Sequence, residues 1–170
     1  MRPFNFIGPR MDFIPGIDGS GVPRVLACFM DALIFNKPLY LVDGGRSKRS
    51  FTYIDDAVKA IMTIVENERV SNKQIFNIGS PNNEITIEQL AYRMIAIYKT
   101  LQPQKYTTFY SVTPIPSLDF YGEGYDDSDR RVPDISKAKT LLNWYPRTNL
   151  DTALKKTMAE YIKQYNQQNE

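Results

Sequence analysis

Histidine is absent from the 170-residue sequence. Histidine-based triads, histidine zinc sites and the commonest proton shuttle near neutral pH go with it. The single cysteine, Cys28, excludes an intramolecular disulfide and any cysteine cluster. It lies in an apolar run, which favours a buried inert thiol over a nucleophile. No apolar stretch approaches the roughly 18 residues of a membrane span, and no signal-peptide pattern opens the chain. The expected location is the cytoplasm, away from membranes. Neither charge is in excess: 21 basic against 19 acidic residues leave a formal +2, too balanced to make nucleic acid the default partner. Also lacking is a glycine-rich strand-to-helix turn of the dinucleotide-binding type. Gly19-Ser20-Gly21 has no apolar strand leading into it and reads as loop.

What is present suits one soluble domain. With 42% hydrophobic and 12% aromatic residues, a chain of this length buries roughly 70% of its unfolded surface without a disulfide or metal. Residues 1–7 read as a short strand broken by Gly8-Pro9, and residues 10–21 as a loop. Val25, Leu26, Phe29, Met30 and Leu33 recur at helical spacing between Pro23, suited to a first helical position, and about Asn36. Pro38 ends that helix, Leu39 to Val42 follow as a strand, and Asp43-Gly44-Gly45 is a turn. Phe51 to Tyr53 is extended, and a helix is expected from about Asp55 to Glu66. Gln74 to Ile78 is a strand, 79–83 a turn, and Thr86 with Glu88 opens a capped amphipathic helix. A strand over 106–112, a long polar loop over 113–133, a short helix through Leu142 capped by Asp134 or Ser136, and a last helix from Leu150 to about Tyr165 complete an α/β pattern. The polar residues 166–170 are expected to fray.

Two segments carry chemistry. In 43–53, a strand delivers the chain to a glycine turn followed by Arg46, Lys48 and Arg49, three cations in four residues. Glycines let backbone approach a ligand closely, arginine forks grip phosphate oxygens and lysine adds a point charge. A diphosphate site fits; so does a solvated basic hairpin. The second, 120–133, sets Phe120, Tyr121 and Tyr125 with two glycines beside Glu123, Asp126, Asp127 and Asp129, then Arg130-Arg131. It reads either as a binding loop or as a surface loop whose arginines neutralise its acids. Its spacing does not match an EF-hand, and mutual repulsion of its acids favours disorder without ligand. Arg131 stays charged at any practical pH, so it is a poor proton donor but a good anchor for a carboxylate or oxyanion.

Taken in order, Arg2-Pro3-Phe4-Asn5, Gly8-Pro9-Arg10, the run from Asp43-Gly44-Gly45 through Arg49-Ser50-Phe51-Thr52-Tyr53-Ile54-Asp55-Asp56, and Phe76-Asn77-Ile78-Gly79 form a series. It resembles the C-terminal half of an extended short-chain dehydrogenase/reductase (SDR) acting on a nucleotide sugar. Tyr121-Gly122-Glu123-Gly124-Tyr125 and Arg131-x-Pro133 narrow the likeness to the UDP-glucuronic acid oxidative decarboxylases of polymyxin resistance, in the aminoarabinose branch of lipid A modification. The likeness runs from residue 1 to about 163.

The resemblance implies NAD-dependent oxidation of UDP-glucuronate at C4, loss of carbon dioxide and a UDP-4-keto-pentose product. It implies that Asn5 hydrogen-bonds the nucleotide sugar. The segment Tyr40, Leu41, Val42, Asp43, Gly44, Gly45, Arg46, Ser47, Lys48 and Arg49 would wrap the UDP, Tyr125 would contact it, and Arg131 would be the catalytic arginine. The family's cofactor half has no counterpart here: neither its glycine-rich turn nor its Tyr-x-x-x-Lys pair occurs. The expected fold is therefore α/β, the substrate-binding C-terminal portion of an extended SDR over residues 1–165 with the Rossmann half missing. That missing half is the expected partner, with a homo-oligomer left open. The chain alone is expected neither to bind NAD nor to turn over, and no residue is assigned to cofactor or metal. A non-catalytic nucleotide-sugar-binding module is the alternative of another class. A UDP-sugar epimerase or UDP-xylose synthase is the alternative within the family, opposed only by the Tyr125–Arg131 segment.

Overall fold

The computed structural model describes residues 1–13, 19, 23–124 and 126–168. The start is not one strand but two short ones that change partners. β1 (Arg2–Pro3) runs parallel to β6 (Asn77–Ile78), and β2 (Phe6–Ile7) runs parallel to β5 (Thr52–Tyr53). Asn5 makes the switch at φ 41°, a left-handed conformation that a short amide side chain tolerates better than most. Its backbone carbonyl accepts from Thr52 N at 3.1 Å and its side-chain amide donates to Ser50 O at 3.0 Å.

α1 (Val25–Phe35) buries Leu26, Ala27, Phe29, Met30, Ala32 and Leu33. Pro23 lies two residues ahead of its first turn, and the entry is held instead by Asp12, whose carboxylate accepts from Arg24 N at 2.8 Å. Asn36 ends the helix in the left-handed conformation, and Pro38 forbids its continuation. The chain returns as β3 (Leu39–Val42), turns through Asp43–Gly45 and enters β4 (Lys48–Ser50). β4 is the middle strand of a three-stranded sheet, antiparallel to β7 (Glu84–Thr86) and parallel to β9 (Arg130–Arg131).

β5 runs directly into α2 (Ile54–Glu66), followed by the single turn α3 (Glu68–Ser71). β7 likewise runs into α4 (Ile87–Leu101). Thr86 caps α4, but its reciprocal partner is Gln89 rather than Glu88: the hydroxyl accepts from Gln89 N at 3.1 Å and the Gln89 side chain accepts from Thr86 N at 3.2 Å.

The strand expected over 106–112 is displaced. β8 occupies Val112–Ile115, where its alternation lets it pair in parallel with β3. The polar stretch 113–133 is correspondingly more structured than its composition implied. It holds the end of β8, the helix α5 (Ser117–Tyr121) and β9. α6 (Ser136–Leu142) begins where the Asp134 carboxylate accepts from Ser136 N at 2.9 Å, and α7 (Leu150–Gln168) runs beyond Tyr165. Among the described residues, no helix is long and apolar enough to cross a membrane.

The larger core packs α1, β3, α4 and α7 around Leu26, Phe29, Met30, Leu39, Leu90, Met94, Leu154, Met158 and Tyr161. A smaller one gathers Phe76, Ile78, Ile135, Leu142 and Trp144 against α2. Asp56, 2% exposed, ties that second core to the segment leading into α7. Its carboxylate accepts from Thr148 N at 2.8 Å and its backbone carbonyl from the Trp144 indole at 3.1 Å. Removing the carboxylate strands a backbone donor out of water. Asp56→Ala is therefore expected to lower unfolding free energy by about 1–3 kcal/mol in urea denaturation, with Asp56→Asn losing less because it keeps a carbonyl acceptor. An alanine variant as stable as the parent would show that the strut carries no load.

Candidate functional site

A cavity of about 540 Å³ opens between α1, β3, β4 and the 117–129 segment. One wall is apolar, made by Val25, Leu26 and Phe29 of α1 with Ile7 and Phe51. The opposite side carries Asn5, Arg46, Ser47 and Arg49, and α5 closes one end with Ser117, Phe120 and Tyr121. Tyr40 leans toward Phe120 with ring centroids 6.4 Å apart, and Phe120 meets Tyr121 edge-on at 4.7 Å. The lining thus combines apolar and aromatic side chains with three arginines and with Asp43, Asp126, Asp127 and Asp129. A ligand with a flat apolar part and an anionic part would meet guanidinium and carboxylate together.

The turn between β3 and β4 aims this charged side. Asp43, Gly44 and Gly45 have φ of 48°, 73° and 65°, so the chain reverses tightly in a region that favours glycine. A Cβ on Gly45 would lie 2.8 Å from the backbone nitrogen of Glu88. The turn is thereby pressed onto the start of α4.

Of the residues singled out in the sequence, Asn5, Tyr40, Val42, Asp43, Arg46, Ser47 and Arg49 line the cavity. Strand alternation decides the rest. Leu41 points the other way into the core at 3% exposure. Lys48 is exposed and stands on the far face of β4 from Arg49. Gly44 and Gly45 shape the turn without lining the cavity, and Asp43 is used by the fold, its carboxylate accepting from Ser117 N at 2.9 Å. Tyr125 lies outside the described residues.

Arg131 does not line the cavity. It is exposed, with Nη2 donating to Asp127 Oδ1 at 2.6 Å and Nε directed at Ser128 Oγ at 3.4 Å. Asp127 in turn lines the cavity and accepts from Arg49 through its other oxygen. The two arginines of 130–131 part company: Arg130 turns to Glu84 at 2.6 Å, and that hydrogen bond holds the Glu84 carboxyl below the usual range.

The α1 wall was not legible as part of a site, because its residues carry only the periodicity of a core helix. Cys28 belongs to it. It is half-buried rather than enclosed, and its thiol donates to Pro23 O at 3.3 Å.

Two strand-to-helix junctions among the described residues lack the glycine turn of a dinucleotide diphosphate site. At the β5–α2 and β7–α4 junctions, strand passes to helix at Tyr53/Ile54 and Thr86/Ile87 with no glycine to admit a phosphate. Among the described residues, no group of three or more acidic or cysteine side chains is placed to hold a metal ion.

The architecture is the α/β one of SDR-like epimerases and dehydratases. Residues 1–79 match the NAD dependent epimerase/dehydratase family. UDP-D-apiose/UDP-D-xylose synthase 2 of Arabidopsis thaliana is 52% identical over 162 residues, which are 94% of this chain and 41% of that protein. The bifunctional polymyxin resistance protein ArnA of Wigglesworthia glossinidia brevipalpis is 39% identical over 163 residues, 95% of this chain and 25% of that protein. The crystal structure of the PbgP3 protein from Burkholderia pseudomallei superposes with a TM-score of 0.76 at 31% identity, covering 98% of this chain and 46% of that one. The chain thus spans less than half the length of the relatives it matches. The likeness to the polymyxin resistance protein is present, and the identity to the plant synthase is higher.

Burial raises the Cys28 thiol from 9.0 to about 11, with Asp31 and Asp12 adding to it. The folded chain therefore prefers the protonated thiol; that contribution to stability is complete below about pH 9 and is lost as pH rises through about 11. Iodoacetamide should alkylate Cys28 slowly at pH 9 in the folded chain and readily once the chain is unfolded. Equal rates in the two states would contradict the assignment.

Proposed function

We propose that this chain is the nucleotide-sugar-binding portion of a UDP-glucuronate-decarboxylating enzyme of the UDP-apiose/UDP-xylose synthase kind. The observation that carries the reading is the convergence of Asn5, Arg46 and Arg49 on one cavity whose other wall is apolar. The 52% identity to a UDP-D-apiose/UDP-D-xylose synthase supplies the substrate class. Arg46 and Arg49 neutralise the diphosphate, Asn5 bonds the sugar, and the Tyr40–Phe120–Tyr121 rings with the α1 wall shelter the uridine. Arg131, which adjoins the cavity only through Asp127, is the cation the family resemblance assigns to the chemistry. When the C5–C6 bond of a 4-keto intermediate breaks, carbon dioxide leaves and the electron pair passes onto the C4 oxygen as an enolate. A guanidinium that cannot release its proton holds the departing carboxylate and then that oxyanion.

NAD belongs to the parts of the longer protein outside this chain. The outward stripe of α2, formed by Val58, Ile61, Met62 and Val65, is exposed and apolar. It is the surface on which a cofactor-binding half would dock. A role in lipid A modification rests on the 39% likeness to ArnA alone and is the weaker reading.

Calorimetry should show UDP binding that Arg49→Ala weakens by about 1–3 kcal/mol, with Lys48→Ala nearly silent because its side chain faces away. Binding indifferent to Arg49 would remove the basic strand from the site. In the longer protein, Arg131→Ala should abolish carbon dioxide release while UDP still binds; retained release would refute the role.

A further inference from the structure

A guanidinium nearly out of water needs a counter-ion at all times, because an unpaired buried charge costs more than the fold can spare. The Arg49 side chain is 9% exposed. Its Nη1 donates to the Lys48 carbonyl at 2.8 Å and its Nη2 to Asp127. Arg131 stands beside it as the register partner across β4 and β9. Two like charges side by side across strands repel, and the Asp127 carboxylate touches both, one oxygen to each.

The balance around the cavity points the same way. Four aspartates and three arginines face it, and one of the arginines, Arg24, is already matched by Asp12 at 3.2 Å. The cavity therefore presents more acid than unmatched base, and Asp127 is the acid that sits on Arg49. A phosphate arriving at Arg49 would meet a carboxylate on the same guanidinium edge.

We propose that Asp127 is an internal competitor for the anion site. It serves as the resident counter-ion of Arg49, yields that guanidinium to the ligand's diphosphate, and keeps its contact with Arg131. It thereby sets both affinity and selectivity, since a ligand must out-compete a built-in carboxylate and a polyanion does so better than a single charge. The inference rests on the reading of Arg49 as a phosphate ligand. It makes Asp127 a positioning and specificity residue rather than a catalytic one.

The test measures UDP, uridine and inorganic pyrophosphate binding to the 170-residue chain and its Asp127→Asn variant at fixed ionic strength. Asp127→Asn should tighten UDP and pyrophosphate by about tenfold, the scale of one charged hydrogen bond released from competition, and leave uridine unchanged. A merely structural role would loosen all three together. Asp127→Ser repeats the comparison should the asparagine variant fail to fold. Unchanged or weaker pyrophosphate binding in the folded variants would overturn the proposal. Pyrophosphate binding that depends on Arg49 and tightens in Asp127→Asn, without any preference for UDP, would refute the nucleotide reading and leave the competitor standing.

Discussion

Burying a guanidinium commits a fold to supplying an anion beside it, and much of this structure is arranged around that demand at Arg49. The residue sits in the middle strand of the β7–β4–β9 sheet, where its backbone is paired on both sides and its side chain has little freedom. The Asp127 carboxylate comes from the segment preceding β9, and that strand is held to β4 by backbone pairing, including Lys48 N to Asp129 O at 2.7 Å. A segment with four acids in seven residues is thus drawn onto a basic strand. The Asp127 and Asp129 contacts fix residues 127–129 against β4 despite their polar composition.

The turn at Asp43–Gly45 is the second constraint. Without three consecutive positive-φ residues, β3 would not turn into β4 as it does, and Arg46 and Arg49 would not line the same cavity as α1. The same turn touches the start of α4 and, through Asp43, the start of α5. One tight reversal therefore joins the apolar wall, the cationic strand and the aromatic end of the cavity.

Helices were readable because their apolar spacing and their stops are local. Leu26, Phe29, Met30 and Leu33 mark α1, and Asn36 and Pro38 close it within a residue or two. Strands were harder, since a two-residue bridge such as Arg2–Pro3 leaves no alternation to count, and the break at Asn5 is a tertiary effect of pairing with two different partners. The position of β8 is not visible in its own sequence because its register is chosen by β3, where Leu39 pairs with Val112 far along the chain. For the site, residue types announced cations near a turn. Only strand alternation could say that Arg49 faces inward while Lys48 and Leu41 do not, and only the fold could bring Asp127 between two arginines. The α1 wall gave no signal, because a helix residue that lines a cavity carries the same hydrophobicity as one that fills a core.

The outward face of α2 has a practical bearing of its own. Val58 is 47% exposed, Met62 50% and Val65 68%, close enough along two helical turns to form one continuous oily strip rather than scattered surface hydrophobics. Such strips glue molecules together in solution. Handled by itself, this polypeptide will tend to cluster as its concentration climbs. Charged replacements along that strip, or a solubilising fusion, would keep it dispersed without altering any residue that lines the cavity.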